Sequence, residues 1–279
     1  MLMQRVLTAL VLLPLLLAAV WLLPTVQLYA VFAIVGVLIA WEWAALMKLS
    51  GRARFRYAQF TALFLASAWL LKDYWLWLCL ASVMWWIVAA VLVRGYPDNF
   101  ERSAPGLPAM ALIGQLLILP TILALAVIHA GGSPTQAHSG PLRLLFVFFL
   151  IFAADTGAYF AGRRFGRRKL APAVSPGKSV EGAIGGLLLS AVWAVTGGVL
   201  IFFEGNYGQL GRIAAFVALS MLVAVVSILG DLTESLFKRA AGVKDSGTIL
   251  PGHGGILDRT DSLLAAAPLM ALGLYLLQI

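Results

Sequence analysis

The sequence predicts an all-α protein, a polytopic bundle of transmembrane helices, from its composition and from the length of its apolar runs. Hydrophobic residues make up 62% of its 279 residues and charged residues 11%, about half the charged share of soluble globular domains. Several apolar runs reach about 18 to 22 residues, enough for a helix to cross a hydrocarbon layer about 30 Å thick. This composition excludes a water-soluble fold.

Polar and Gly/Pro breaks divide the chain into about nine predicted spans. The third span is short, and we expect it to be tilted or partly re-entrant. The first resembles a secretory signal but has no convincing cleavage site before Pro24, so we expect it to stay as a helix. The approximate bounds are Val6 to Leu23, Leu28 to Met47, Tyr57 to Leu71, Tyr74 to Val93, Leu107 to His129, Leu142 to Ala161, Gly182 to Phe203, Ile213 to Gly230 and Ser262 to Gln278.

The positive charges predict the orientation of these spans, because Lys and Arg are retained on the cytoplasmic side. A cytoplasmic N-terminus places 17 of the 20 Lys and Arg residues on that side and leaves Lys72, Arg143 and Arg212 outside. Topology and attraction to anionic lipid explain this basic charge, and no nucleic-acid-binding motif accompanies it. We expect residues 1–140 to form about five N-terminal spans, and residues 141–279 to form a catalytic region with two cytoplasmic loops.

The eighth predicted span continues into a polar stripe. Asp231, Glu234, Ser235 and Lys238 follow one another at helical spacings of i, i+3, i+4 and i+7, so they share one face of a helix. This face leads out of the membrane toward the last cytoplasmic loop. Carboxylates gathered with basic residues suit a polyphosphate with bound Mg2+, since the acids hold the metal and the bases hold the phosphates.

The loop that follows carries glycines around one histidine, and then two aspartates. Gly252, Gly254 and Gly255 flank His253, and such glycines let backbone N–H groups approach phosphate oxygens. Asp258 and Asp261 come directly before the ninth span. A capping pair at the start of a helix is the alternative interpretation of these two aspartates. A cap does not explain the second acidic cluster at Asp231.

The other large cytoplasmic loop adds a second half to the predicted site. Asp155 lies within the sixth span, where a carboxylate costs enough free energy to suggest a function; pairing with a neighbouring helix is the alternative. Lys178 lies in Ser175-Pro176-Gly177-Lys178-Ser179 after a run of basic residues and suits contact with phosphate. The glycines that follow, Gly182, Gly185 and Gly186, are expected to allow close helix packing.

Together these motifs resemble the signature of the phosphatidate cytidylyltransferases, also called CDP-diacylglycerol synthases. All 27 positions from 235 to 261 agree with it. One departure lies upstream, where Gly177 and Val180 replace a lysine and a tryptophan that the family often has. The matching residues are Ser235-x-Phe237-Lys238-Arg239, Lys244-Asp245-x-Gly247 and Leu250-Pro251-x-His253-Gly254-Gly255-Ile256-x-Asp258-Arg259-Thr260-Asp261, with Asp155, Tyr159, Gly162 and Ser175-Pro176-x-Lys178 upstream.

The resemblance implies a Mg2+-dependent nucleotidyltransferase of phospholipid biosynthesis that converts CTP and phosphatidic acid into CDP-diacylglycerol and pyrophosphate. It also implies a homodimer in the bacterial inner membrane, with the site facing the cytoplasm. The implied metal ligands, for one or two ions, are Asp231 and Asp258, with Asp261 and Glu234 as further ligands. The implied catalytic or phosphate-binding residues are Lys178, Lys238, Arg239, Lys244, His253 and Arg259. The implied substrate-binding residues are Asp155, Tyr159, Ser175, Ser235, Gly254 and Gly255.

Two other functions remain open at this point. A CTP-dependent kinase would move the γ-phosphate to a lipid alcohol and release CDP in place of pyrophosphate. A transporter would place its charges along a substrate path near the membrane midplane. The sequence shows no evident internal repeat, and its charged motifs gather on one side of the membrane, so a transporter is the less favoured alternative.

Overall fold

The computed structural model describes residues 2–98, 100, 104–132 and 138–279. Seven helices in these ranges are long and apolar enough to cross a membrane, which confirms the predicted all-α membrane class. The predicted count of nine spans and the cytoplasmic N-terminus stay predictions, and Arg102, one of the predicted cytoplasmic charges, lies outside the described residues. The long helices are α1 (Leu2–Leu22), α2 (Thr25–Leu46), α3 (Gly51–Leu70), α4 (Trp75–Arg94), α5 (Leu107–Ala130), α6 (Ser139–Phe165), α7 (Val180–Phe202), α8 (Leu210–Ala241) and α9 (Leu257–Leu277).

Helix α3 begins at Gly51, before the predicted start at Tyr57, and includes basic residues that we expected in a loop. Arg54 in its first turns is fixed against α2. The Arg54 Nε–H donates to the Trp41 carbonyl at 2.8 Å, and the guanidinium lies 4.2 Å from the centre of the Trp41 ring. The long side chain covers apolar surface while its charge remains near the helix end, so these positions can be helical.

A short antiparallel hairpin connects α6 to α7. Its strands are β1 (Lys169–Ala171) and β2 (Ser175–Ser179), with Lys169 opposite Ser179. The Ser179 hydroxyl accepts the Gly182 N–H at 3.1 Å and caps α7. The sequence did not predict this hairpin, because both strands are too short to show a periodic pattern. The hairpin holds the residues of β2 directly beside the start of α7.

Helices α6 and α7 pack closely through glycine. A Cβ added at Gly186 would lie 2.5 Å from the Ala154 carbonyl oxygen, and one at Gly157 would lie 2.5 Å from the Gly185 carbonyl oxygen. A Cβ at Gly182 would lie 2.9 Å from the Ala158 oxygen. These distances are shorter than real Cβ contacts, so the backbones can approach only without side chains. The predicted packing role of the glycines in α7 is thereby confirmed.

A second close approach joins α8 to α9. A Cβ added at Gly230 would lie 2.6 Å from the Asp261 carbonyl oxygen, so the two backbones nearly touch there. This contact places Asp231, the next residue of α8, beside the first turns of α9. Helix α2 packs on the same region, where Trp43 meets Phe237 edge to face with ring centres 5.0 Å apart. Three helices from distant parts of the chain therefore converge on one end of the bundle.

Candidate active site

Where these helices meet α5, α6 and the hairpin, they border a cavity of about 820 Å³. One part of its wall is charged and another is apolar. The charged residues in the wall are Asp155, Arg163, Lys178, Asp231, Asp258, Arg259 and Asp261. The large apolar residues in the wall include Leu16, Phe32, Val35, Ile39, Ile122, Leu125, Phe148, Ile151 and Phe152. The cavity can therefore receive a molecule that has both a charged and an apolar portion.

The two parts of the wall are stacked along the helix axes. On α6, Phe148 precedes Asp155 by about two helical turns, or ~10 Å. On α9 the direction is reversed, since Asp258 and Asp261 come before Leu264. Both helices place their charged residues at the end where the hairpin and the α8–α9 loop lie. The apolar part consequently lies deeper in the bundle.

Asp231 pairs with Lys178 at the charged end. The Lys178 Nζ lies 2.5 Å from the Asp231 Oδ2, and both side chains are partly exposed. Ser235, one turn further along α8, donates its hydroxyl to the Asp231 Oδ1 at 3.4 Å. Lys178, which the sequence placed in one cytoplasmic loop, thus meets Asp231, which the sequence placed on the helical stripe before the other loop. The pair places a cation directly against a carboxylate at the cavity surface.

Asp258 organises the loop before α9. Its carboxylate accepts hydrogen bonds from the Lys238 Nζ at 2.7 Å, from the Ser246 N–H at 3.0 Å and from the Gly255 N–H at 2.8 Å. Gly254 has a φ of +85°, and a Cβ there would lie 2.8 Å from the Asp258 Oδ2. Only glycine fits both the left-handed backbone and the close approach. Asp258 therefore lines the cavity and also holds the glycine-rich loop in place around its own carboxylate.

Two of the predicted site residues lie behind the cavity wall. Lys238 reaches Glu234 at 2.6 Å as well as Asp258 at 2.7 Å. The Glu234 side chain is 4% exposed, and neither residue lines the cavity. Lys238, held by both carboxylates, therefore stabilises the position of Asp258 and does not face the cavity. The helical stripe predicted on α8 therefore divides between the cavity face, at Asp231, and the protein interior.

Two further aspartates, Asp155 and Asp261, line the cavity on either side of Asp231 in sequence. The Asp261 Oδ1 accepts the Ser262 N–H at 2.7 Å. Carboxylate oxygens are the ligands that Mg2+ prefers. In the described part of the chain, however, no three His, Cys, Asp or Glu side chains are grouped so that they could share a metal ion.

The remaining predicted site residues mostly stabilise the loops around the cavity. Arg259 donates from Nε and Nη2 to the His253 carbonyl at 3.2 and 2.8 Å, and Arg239 reaches the Val174 carbonyl at 3.4 Å. Lys244 is exposed in the α8–α9 loop. Tyr159 faces the cavity, where its hydroxyl accepts from Arg163 at 3.1 Å. The predicted residues Lys238, Arg239, Lys244, His253, Ser175, Ser235, Glu234, Gly254 and Gly255 are not among the described residues of the cavity wall.

Sequence reasoning missed two residues of this region. Arg163 lines the cavity but was counted only as a positive charge that sets topology. Glu42 of α2 is fully buried and accepts the Leu257 N–H at 2.7 Å. The signal for Glu42 was present, because a carboxylate within an apolar span is rare enough to suggest a function. Glu42 lies far along the chain from the recognisable motifs, so nothing in the sequence connected this residue with them.

Known proteins resemble this chain over nearly its whole length. The model of the "Cytidylyltransferase family" matches residues 3–277. Two relatives named phosphatidate cytidylyltransferase, from Haemophilus influenzae and Pseudomonas aeruginosa, are 40% and 39% identical, and each match covers at least 96% of both chains. A third protein of that name, from Staphylococcus saprophyticus, is 45% identical over 49% of each chain. The match extends over nearly the whole molecule, and the chain belongs to the cytidylyltransferase family.

Proposed function

We propose that this protein transfers the cytidylyl group of CTP to phosphatidic acid, forming CDP-diacylglycerol and pyrophosphate. The observation that carries the proposal is the cavity, whose charged end opens directly into an apolar part. A lipid phosphate fits this division, since acyl chains would occupy the apolar part and the phosphate would lie among the charged residues. The names of the relatives that match nearly the whole chain support the same substrate pair.

In this reaction an oxygen of the lipid phosphate forms a new bond to the α-phosphorus of CTP. The bond from the α-phosphorus to the oxygen that leads to the β-phosphorus breaks, and its electron pair leaves with pyrophosphate. A phosphate monoester is already ionised near neutral pH, so no general base is required. The side chains must instead bring two anions together, and Arg163, Lys178 and Arg259 are the cations of the cavity wall.

These cations are not sufficient by themselves. The described residues of the cavity wall include four carboxylates and three cationic side chains, so the wall does not offset the charge of two phosphate groups. Like unit charges about 4 Å apart near a protein surface repel by about 4 kcal/mol. An additional cation is needed to hold CTP beside the lipid phosphate.

We propose that Mg2+ is this cation and that Asp231 and Asp261, which both line the cavity, are its protein ligands. Asp231 already binds an ammonium group at the cavity surface, and carboxylate oxygens suit a hard divalent ion. Asp258 is fully engaged by three donors and Glu234 by Lys238. Either carboxylate would have to release Lys238 before it could bind the metal ion. Bound Mg2+ would neutralise charge on the phosphates and on the departing pyrophosphate.

The purified protein in detergent is expected to release pyrophosphate and CDP-diacylglycerol in equal amounts from CTP, phosphatidic acid and Mg2+. Chelation with EDTA should stop the reaction, and added Mg2+ should restore it. Diacylglycerol in place of phosphatidic acid serves as the control, because it lacks the attacking phosphate. Release of CDP, with a phosphorylated lipid alcohol as the second product, would contradict the proposal and indicate a kinase.

The proposal places the protein in a bacterial inner membrane with the charged end of the cavity facing the cytoplasm, where CTP is present. The distribution of Lys and Arg supports this orientation. Thr248, in the α8–α9 loop, and Asn206, before α8, are exposed positions separated by a single span. The chain's one cysteine, Cys79, is buried, so the background of thiol labelling should be low.

We expect an impermeant maleimide added to spheroplasts to label Asn206→Cys and to label Thr248→Cys only after the membrane is permeabilised. The opposite pattern would contradict the proposed orientation.

A homodimer, implied by family resemblance, is proposed as well. Light scattering of the detergent-solubilised protein, corrected for bound detergent, measures the mass of the assembly; a mass of one chain would contradict the dimer.

A further inference from the structure

Glu42 is a fully buried carboxylate on the helix that contributes Phe32, Val35 and Ile39 to the apolar cavity wall. Its side chain is 0% exposed, and it is not part of the wall itself. It lies near the end of α2, at the level of the α8–α9 loop. We infer that Glu42 is a positioning residue, which holds this loop against α2 so that Asp258 and the first turn of α9 face the cavity correctly.

Four residues, three in the loop and one at the start of α9, lie against the Glu42 carboxylate. The Glu42 Oε2 accepts the Leu257 N–H at 2.7 Å and the Ser246 hydroxyl at 3.3 Å. Two glycines fit around the same group. A Cβ added at Gly255 would lie 2.5 Å from the Glu42 Oε2, and one at Gly247 would lie 2.7 Å from the Glu42 Cδ. Both ends of the loop are therefore packed on a single side chain from α2.

Asp258 contacts two of the same residues. Ser246 gives its hydroxyl to Glu42 and its backbone N–H to Asp258. Gly255 rests on Glu42 and donates its N–H to Asp258. The loop is thus held between two carboxylates, one buried in α2 and one at the cavity. A displacement of Ser246 and Gly255 on the Glu42 side would carry the Asp258 carboxylate with it.

Burying this carboxylate is expensive, since one of its oxygens, Oε1, has no hydrogen-bond partner among the described residues. A well-packed apolar residue would stabilise the fold at least as well. An apolar residue could not accept the Leu257 N–H or the Ser246 hydroxyl, however. The contacts to the loop, which is over 200 residues away in sequence, therefore account for a carboxylate at this position.

The inference rests on the proposed function, and two variants of Glu42 test it separately. Glu42→Ala removes the acceptor, and we expect kcat to fall about 100-fold, as small misplacements of reacting groups can cause. The KM for phosphatidic acid should change little, because the apolar wall is untouched. Glu42→Gln keeps an acceptor oxygen, so it should restore most of the activity. Ser246→Ala, which removes only the hydroxyl, should lower kcat in the same direction by less.

A measurement that does not depend on activity accompanies the kinetics. Hydrogen exchange of residues 243–257 should become faster in Glu42→Ala than in wild type and return toward wild type in Glu42→Gln. Tyr29→Phe is the matched control, because the Tyr29 hydroxyl is also buried in α2 and donates to the Leu65 carbonyl at 2.5 Å, away from the cavity. It should leave both kcat and the exchange of the loop unchanged.

Three outcomes would overturn the inference: unchanged loop exchange in Glu42→Ala, a Glu42→Gln variant as impaired as Glu42→Ala, or a loss of rate no larger than the loss of folded protein. If wild type itself fails to form CDP-diacylglycerol, the proposed function fails. Hydrogen exchange then still tests the role of Glu42, because only faster exchange of the loop in Glu42→Ala supports it. The two failures can therefore be told apart.

Discussion

Replacement of Asp258 by asparagine is expected to lower kcat by at least about 100-fold, the size of effect seen when one preorganised polar contact is lost from an active site. The carboxylate accepts from Lys238, Ser246 and Gly255. An amide has one acceptor oxygen, so its NH2 group would face a donor. Glu234 would then be the one negatively charged partner left for the largely buried Lys238 among the described residues, which is costly.

Initial rates with CTP, phosphatidic acid and Mg2+ measure this effect. Asp73→Asn is the matched control, since Asp73 is exposed in the turn before α4 and should keep the wild-type rate. The melting temperature in detergent separates loss of function from loss of fold. Full activity of Asp258→Asn would remove Asp258 from the proposed site.

The second large effect is expected at the Lys178–Asp231 pair. We expect Asp231→Asn to lower kcat by about 1,000-fold and to raise the Mg2+ concentration needed for half-maximal rate, because one proposed ligand loses its charge. Lys178→Met should lower kcat/KM for CTP by about 100-fold, because a proposed phosphate contact is lost. The two side chains lie 2.5 Å apart, so the losses in the double variant should not add.

A double-mutant cycle on kcat/KM measures this coupling, with Mg2+ titrated for each variant. Lys169→Met is the control, because Lys169 is an exposed lysine in the other strand of the same hairpin and should behave as wild type. Additive losses would show that the two residues act independently. An unchanged Mg2+ requirement in Asp231→Asn would contradict the proposed role of Asp231 as a metal ligand.

Local patterns in the sequence predicted the helices and the site's chemistry. Apolar runs long enough to span a membrane mark helices such as α5 and α7 within a few residues, because hydropathy acts through consecutive positions. The spacing of Asp231, Glu234 and Lys238 correctly put them on one stretch of helix, since i, i+3 and i+4 relations are local. The resemblance to one family, carried by residues 235–261, agrees with the match of the family over the whole chain.

The contacts between elements distant in sequence depended on the tertiary structure. Helix packing turned Asp231 toward the cavity and Glu234 toward the interior, where Lys238 joins it to Asp258. The hairpin brought Lys178 to Asp231, and α2 brought Glu42 to the α8–α9 loop. Spacing along one helix leaves open which side its neighbours cover. Glycines such as Gly186 and Gly230 let particular backbones approach, and this helix packing decides which carboxylates face the cavity.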